Sequence, residues 1–279
     1  MPAMPSLLGL VAALLVLGAV FGVLEHVARR RRGQPGRLLR EGWGTDVAYL
    51  FVTALLTKPL ARLLVIVAAA LLVLVGLVPA HAFQDGAYAG FGPLSRQPGW
   101  LQALQVLALV DLIGYWSHRL FHRRGWWPFH AVHHASERLD WLSSLRVHPV
   151  NDVVTKLLQA VPLLLLGYDP AVTLGAAPVL TLYALLLHAD VTWDFGPLRW
   201  VIASPVFHRW HHSRQREAWD RNFAGLLPAW DLLFGTFYMP RGQVPSDFGI
   251  HEPMPPRLVG QLAAPFARAA RRPQEAEAA

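Results

Sequence analysis

Histidines at short, regular spacings are the residues of this chain whose type and order predict chemistry. They form three boxes, one with the pattern H-x-x-x-H and two with the pattern H-x-x-H-H, namely His118 and His122; His130, His133 and His134; and His208, His211 and His212. Residues three and four apart share a helical face, so we expect each box to direct its imidazoles at one point. Neutral imidazole is the commonest metal ligand, and this set exceeds what a single ion accepts. The boxes therefore predict two metal ions.

Five further residues are candidates for a role around these ions. His188 is the predicted ninth ligand, because it ends an apolar run at the depth of the boxes. His148 is a possible extra ligand, a neighbour of a ligand, or a helix cap. Asp111 lies two helical turns before the first box and is either an acceptor for a ligand imidazole N–H or a structural hydrogen-bonding group. Asp220 and Asn222 follow the third box, and they either orient its imidazoles or cap a helix.

The composition is that of an integral membrane protein. Hydrophobic residues make up 54% of the 279 residues and charged residues only 15%. The absence of cysteine excludes disulfides, thiolate ligands and iron–sulfur clusters within this chain. The formal charge of +7 comes almost entirely from arginines, which flank the apolar runs. This distribution is explained by membrane topology, so we do not expect nucleic-acid binding.

Apolar runs and arginines predict the order and orientation of the spans. The first run covers residues 6–27, and arginines 29–32 follow it, which places that end in the cytoplasm and the N-terminus outside. Pro59 should interrupt the next run, leaving a partial helix before it and a span over residues 60–78. A third span begins near Trp100 and carries the first box, and runs 153–166 and 172–187 form a helical hairpin. Every box then lies at the cytoplasmic face.

The predicted fold is an all-α integral membrane bundle of about four or five spans with a cytoplasmic histidine-rich helical cap. We divide the chain into an N-terminal transmembrane region (1–99), a catalytic region (100–240) and a C-terminal tail (241–279). From about Pro265 the tail is rich in Ala, Arg and Glu, so we expect a frayed helix or disorder there. Richness in Arg, Ala, Gly and Pro suggests a bacterial source, and therefore an inner-membrane location.

Taken together, the motifs resemble those of one known family. The segments H-R-L-F-H, H-A-V-H-H-A-S-E, R-V-H-P, H-R-W-H-H-S, D-R-N-F and W-D-L-L-F-G-T are similar, in order and spacing, to the fatty acid hydroxylase / sterol desaturase superfamily of membrane di-iron enzymes. The resemblance covers residues 111–238. It implies that the eight box histidines, with His188, hold two iron ions, which zinc can replace in a recombinant preparation. It also implies dioxygen as oxidant and a lipid substrate taken from the bilayer.

The family resemblance leaves several alternatives open. Hydroxylation and desaturation begin with the same hydrogen abstraction, so the sequence does not separate them. We see no cytochrome or ferredoxin segment in this chain, so we expect a separate electron-donor protein of either type. A membrane zinc hydrolase is the alternative from another class, although the H-E-x-x-H pattern is absent. The substrate and the oligomeric state are not predicted.

Overall fold

A computed structural model describes residues 6–35, 39–84 and 87–270 of the chain. Residues 271–279 of the predicted tail lie outside the described residues. The helices, numbered here in chain order, are α1 (Leu7–Arg31), α2 (Trp43–Leu74), α3 (Gly92–Ser95), α4 (Gly99–Phe121), α5 (Trp127–His134), α6 (Pro149–Leu166), α7 (Pro170–His188), α8 (Pro205–His211), α9 (Ala229–Leu233) and α10 (Leu258–Ala270). Short 3₁₀ turns join some of them, and a small hairpin of β1 (Phe83–Gln84) and β2 (Ala87–Tyr88) connects α2 to α3. The predicted all-α class is confirmed.

Four of the described helices are long and apolar enough to cross a membrane: α1, α2, α6 and α7. Their lipid-facing side chains are largely exposed, as a bilayer-embedded bundle requires. Helix α4 was predicted as another span and has 23 residues, but it falls outside this apolar class. Its polar residues are used inside the bundle, since Gln102 accepts the N–H of Asp169 and Gln105 accepts the hydroxyl of Tyr168. The prediction of about four or five spans is therefore met by four helices of spanning composition, two of which, α6 and α7, pack against α4.

Helix α2 continues through Pro59, so the predicted interruption is wrong. A π-helical turn at Thr53–Thr57 precedes the proline, and the Lys58 N–H donates to the carbonyl of Thr53. This wider turn relieves the clash that a proline ring makes with the preceding turn of an α-helix, and it accommodates the missing N–H. The hydroxyl of Thr57 also donates to the carbonyl of Val52. One helix of 32 residues replaces the predicted partial helix and span.

The predicted hairpin is formed by α6 and α7. Gly167 ends α6 in the left-handed region at φ 78°, and a Cβ at this position would lie 2.2 Å from the Phe91 carbonyl oxygen. Only glycine fits such a close approach. Asp169 then caps α7 by accepting the N–H of Ala171 at 2.8 Å. The hairpin brings His188, the last residue of α7, back to the end of the bundle that carries the boxes.

The short helices of the boxes lie in a buried cap at one end of the bundle. Phe207 and Trp210 of α8 are almost fully buried and pack with Leu187 of α7. Helix α10 packs against α5, where the rings of Phe266 and Phe129 lie 5.5 Å apart. Of the two alternatives predicted from about Pro265, the structure has a helix as far as Ala270, and Phe266 of this helix contacts the cap.

Candidate metal centre

All nine predicted metal ligands meet in the cap, in two neighbouring groups. In each group one ligand atom per residue lies within 4.8 Å of every other. The five-histidine group comprises His118, His122, His130, His134 and His211, and the four-histidine group comprises His133, His188, His208 and His212. The two groups touch through His134 and His212, whose stacked ring centroids are 4.3 Å apart. The fold thus brings together two adjacent groups of histidines, each of which could hold a metal ion.

The H-x-x-H-H boxes do not each point at one site, which corrects the sequence-based expectation. Within the second box, the i,i+4 pair His130 and His134 enters the five-histidine group, whereas His133 enters the other. Within the third box the assignment is reversed, because only His211 joins the five-histidine group. Successive helical residues point about 100° apart, so the residue beside an i,i+4 pair faces a different direction. Each of these boxes therefore contributes to both groups.

Hydrogen bonds fix the protonation of two histidines in the four-histidine group. The Nδ1–H of His133 donates to the Arg146 carbonyl at 3.0 Å, and the Nδ1–H of His188 donates to the Ala184 carbonyl at 2.8 Å. A neutral imidazole carries one proton, so both Nε2 atoms present lone pairs. These two atoms are 3.1 Å apart, and the Nε2 of His208 is 3.1 Å from that of His188. The facing lone pairs of His133 and His188 repel at this separation unless a cation lies beside both, which is what a metal ion provides.

The five-histidine group is built in the same way. The Nδ1–H of His118 donates to the Phe223 carbonyl at 2.8 Å, and the Nδ1–H of His130 donates to the Asn151 amide oxygen at 2.7 Å. Their Nε2 atoms then face each other at 2.9 Å. The Nε2 atoms of His122 and His211 are buried and have no hydrogen-bond partner among the described residues. Buried nitrogens without partners are costly, and a bound metal ion would satisfy them.

Burial keeps the cap histidines in the form that binds metal. Desolvation, followed by repulsion from neighbouring imidazoles, lowers the pKa of each H-x-x-H-H histidine well below 6.5. The rings are therefore neutral at pH 7, as ligation requires. Imidazole ligands with no carboxylate among them favour a borderline divalent metal such as iron, zinc, copper or nickel.

Asp220 and Asn222 hold the centre from the loop that follows α8. The Asp220 carboxylate accepts the Nδ1–H of His122 at 3.1 Å, and this hydrogen bond lowers the pKa of Asp220. Asn222 contacts no imidazole. Instead its buried amide bonds to the backbone of Phe207 and Tyr238, and the carbonyls on either side of it, from Arg221 and Phe223, accept the Nδ1–H of His211 and His118. Asn222 thus orients two histidines through the backbone.

Asp111 is not bonded to an imidazole, which corrects the first of its two predicted roles. Its carboxylate accepts the N–H groups of Gly225, Leu226 and Leu227 at 2.8 to 3.0 Å. The Asp231 carboxylate binds the part of the loop just before these residues. It accepts the N–H groups of Phe223 and Ala224 and also the hydroxyl of Thr236. The two aspartates therefore clamp the loop whose Phe223 carbonyl holds His118.

His148 lies outside both groups, so the structure does not support a ligand role for it. Its Nδ1 accepts the N–H of Val150 at 3.2 Å and caps α6, while its Nε2 lies 3.2 Å from the Leu262 carbonyl. The capping alternative is the one that the structure shows. Nδ1 is used by the cap of α6 and Nε2 by the contact with α10, so neither nitrogen is left for a metal.

Two residues of the site were missed from the sequence. Asn151 supports His130, and its only signal was a lone amide at the start of an apolar helix. Arg209 lies inside the third box, with a side chain that is 6% exposed, and it donates to the carbonyls of Leu139 and Ala189. These two carbonyls belong to the segments that follow the second box and His188. Arg209 therefore ties three ligand-bearing segments together.

Fold and site together define a membrane helical bundle with a buried, double polyhistidine metal centre. Residues 103–236 match the family model described as fatty acid hydroxylase. The resemblance to this family that the histidine boxes predict is thus confirmed over these residues. No solved structure shows a significant match.

Several characterised proteins are similar to this chain. An ornithine lipid hydroxylase of Rhizobium tropici is 35% identical over 177 residues, which cover 62% of this chain and 54% of that protein. The alkylglycerol monooxygenases of Danio rerio and Homo sapiens are each 36% identical, over 53% and 46% of this chain and 32% and 28% of their own lengths. The chain therefore spans about half the length of the first relative and about a third of the others.

Proposed function

We propose that this protein is a membrane-bound, non-haem di-iron oxygenase that hydroxylates a C–H bond of a lipid, using dioxygen and electrons from a separate donor protein. The observation that carries the proposal is the meeting of nine histidines in two adjacent groups, in each of which a pair of Nε2 lone pairs face each other at about hydrogen-bond distance and favour a bound cation. The match to the fatty acid hydroxylase family, and relatives that are named as lipid hydroxylases and monooxygenases, support a lipid substrate.

The roles of the residues follow from their contacts. His118, His122, His130, His134 and His211 would hold one iron, and His133, His188, His208 and His212 the other. Two iron ions bound there would supply the activation of dioxygen and the removal of hydrogen from the lipid. Asp220, Asn151 and backbone carbonyls keep the ligand rings in the right tautomer and orientation. The four-histidine group leaves more coordination positions free than the five-histidine group, so we expect the oxidant to bind on its side.

Contacts of α1 support a cytoplasmic position for the centre. Arg29 and Arg32, at the end of α1, form ion pairs with Asp190 at 2.5 and 2.9 Å. Asp190 lies two residues beyond His188, so the arginine-rich end of the first span and the metal centre share one end of the bundle. Arginines concentrate at the cytoplasmic ends of spans. We therefore propose an inner-membrane protein with its N-terminus outside and its active site facing the cytoplasm.

The proposal is tested with purified protein made in iron-supplemented, zinc-depleted medium. About two irons per chain are expected from the two groups of ligands. Bacterial membrane lipids, dioxygen of a heavy isotope and a reductant are then supplied, and products are examined by mass spectrometry. A lipid that gains one labelled oxygen supports a hydroxylase. A lipid that loses two hydrogens would indicate a desaturase, and zinc alone with hydrolysed lipid would refute the oxygenase.

A further inference from the structure

A cavity of about 680 Å³ lies between α1 and the histidine cap, beside the four-histidine group. Its volume is that of a small-molecule site. Arg209, the neighbour of His208, lines it, and so does Asp190, two residues beyond His188. None of the nine histidines lines the cavity, which is connected to the four-histidine group through these two sequence neighbours.

One face of α1 forms a wall of this cavity and changes from apolar to charged along its length. The lining residues recur every three or four positions, as one helical face requires: Leu14, Gly18, Gly22, Glu25, Arg29 and Arg32. At 1.5 Å per residue this face is about 27 Å long. The end of the face at Leu14, Gly18 and Gly22 is apolar, whereas the end at Glu25, Arg29 and Arg32 is ionic. A molecule with a hydrocarbon chain and a polar end matches this gradient.

The apolar end of the face has room that no side chain fills. A Cβ placed on Gly22 would meet no atom within 4 Å, although Gly22 is partly buried and faces the cavity. At Gly18 the nearest atom is on the Trp141 ring, at 3.8 Å. The space beside Gly22 is therefore open to a ligand, and a larger side chain could occupy it without a clash.

The ionic end contains both a negative and a positive group whose hydrogen-bonding capacity is not fully used. Glu25 accepts the N–H groups of Trp141 and Asp190 at 2.9 Å, but no basic side chain pairs with it among the described residues. The Nε atoms of Arg32 and Arg209 are buried and have no hydrogen-bond partner among those residues. Terminal nitrogens of both arginines already pair with Asp190, so the unused capacity here is that of the two Nε–H groups and of the Glu25 carboxyl, which has no basic side chain within ion-pair distance among the described residues. A ligand with a cationic donor at one end and an anionic acceptor at the other would satisfy these groups.

We infer that this cavity binds the polar end of a zwitterionic lipid, with its ammonium group at Glu25 and its anionic group at Arg32 and Arg209, and that such lipids are the substrate class. The inference rests on the proposed function, since it names the substrate of the proposed oxygenase. The acyl chain would lie along Gly22 and Gly18, and the segment next to the head group would lie closest to the four-histidine group.

Four proteins test the inference: wild type, Gly22→Leu, Glu25→Gln and Ala19→Leu. Gly22→Leu fills the cavity, while Ala19→Leu adds the same side chain on the exposed side of α1 and is the matched control. Glu25→Gln removes the charge but keeps a carbonyl oxygen for the two N–H groups. Binding of phosphatidylethanolamine and of phosphatidylglycerol with identical acyl chains is measured by native mass spectrometry of the iron-loaded proteins.

Wild type and Ala19→Leu should bind the zwitterionic lipid roughly tenfold more tightly than the anionic one, as one charge-assisted hydrogen bond predicts. Glu25→Gln should lose this preference, and Gly22→Leu should bind neither lipid, with metal content unchanged. Equal binding of the two lipids by wild type, an unchanged preference in Glu25→Gln, or undiminished binding by Gly22→Leu would overturn the inference. Binding needs no turnover, so failure of the oxygenase assay would be a separate result.

Discussion

Replacement of Asn222 should weaken the metal centre although this residue touches no ligand. Asn222 is fully buried and left-handed, at φ 58°. Its amide donates to the carbonyls of Phe207 and Tyr238 at 2.8 and 2.6 Å and accepts the N–H of Tyr238 at 2.7 Å. In Asn222→Ala these hydrogen bonds are lost, at about 1 kcal/mol each. The left-handed backbone adds about 1–2 kcal/mol for a residue other than glycine or asparagine. We therefore expect a loss of about 4–5 kcal/mol from the folded cap.

The metal affinity is the more specific measure of this change. The carbonyls of Arg221 and Phe223 flank Asn222 and accept the Nδ1–H of His211 and His118 at 2.7 and 2.8 Å. Loss of such support typically lowers metal affinity about 10–100-fold. Metal content is measured after dialysis against graded chelator, with His251→Ala as the control. Retention of both ions by Asn222→Ala at the chelator concentration that wild type tolerates would refute the reasoning.

A glycine variant separates the backbone term from the hydrogen bonds. Asn222→Gly removes the left-handed strain but loses the same hydrogen bonds, and glycine loses more chain entropy on folding. It should therefore be more stable than Asn222→Ala by only roughly 0.5–1 kcal/mol. Thermal unfolding of the two variants gives this difference directly. A glycine variant with wild-type stability would show that the hydrogen bonds contribute little.

Other expected outcomes follow from individual contacts. His133→Ala and His211→Ala should each remove about one ion per chain and abolish oxygenation, whereas His251→Ala should do neither. Two ions in either ligand variant, measured by elemental analysis, would contradict the assignment. His148→Ala should keep the metal but lower the free energy of unfolding by about 1 kcal/mol, because only a helix cap is lost, and metal loss would argue against that role. Asp220→Asn should lower metal affinity by about tenfold at most in the chelator assay, because the amide oxygen can still accept from the same imidazole. Metal-free protein should lose stability as the pH falls below about 6.5. The unfolded chain binds protons on its histidines in this range, whereas burial lowers the pKa of the cap histidines and keeps them neutral in the folded protein. Unfolding curves at several pH values check this.

The sequence predicts those features that depend on side-chain type and local spacing. The box histidines, the turn at Gly167 and Asp169 and the apolar spans are of this kind, and the structure contains all of them. Features that depend on distant backbone groups were not predictable. Asp111 finds its three N–H partners more than a hundred residues downstream, and nothing in either segment signals the pairing. Pro59 predicts the end of a helix from sequence, because the π-helical turn that accommodates the proline has no sequence signature of its own.

The distribution of the box histidines explains why H-x-x-H-H occurs twice. An i,i+4 pair offers two ligands to one ion, and the histidine beside the pair points about 100° away, where only a second ion could use it. In α5 the i,i+4 pair belongs to the five-histidine group and His133 belongs to the four-histidine group. In α8 the i,i+4 pair belongs to the four-histidine group and His211 belongs to the five-histidine group. Each helix is therefore shared by both sites, so neither site can be complete unless the two helices face each other. His188 supplies the fourth ligand that the second site would otherwise lack. The pattern therefore supports the proposed pair of ions over a single one.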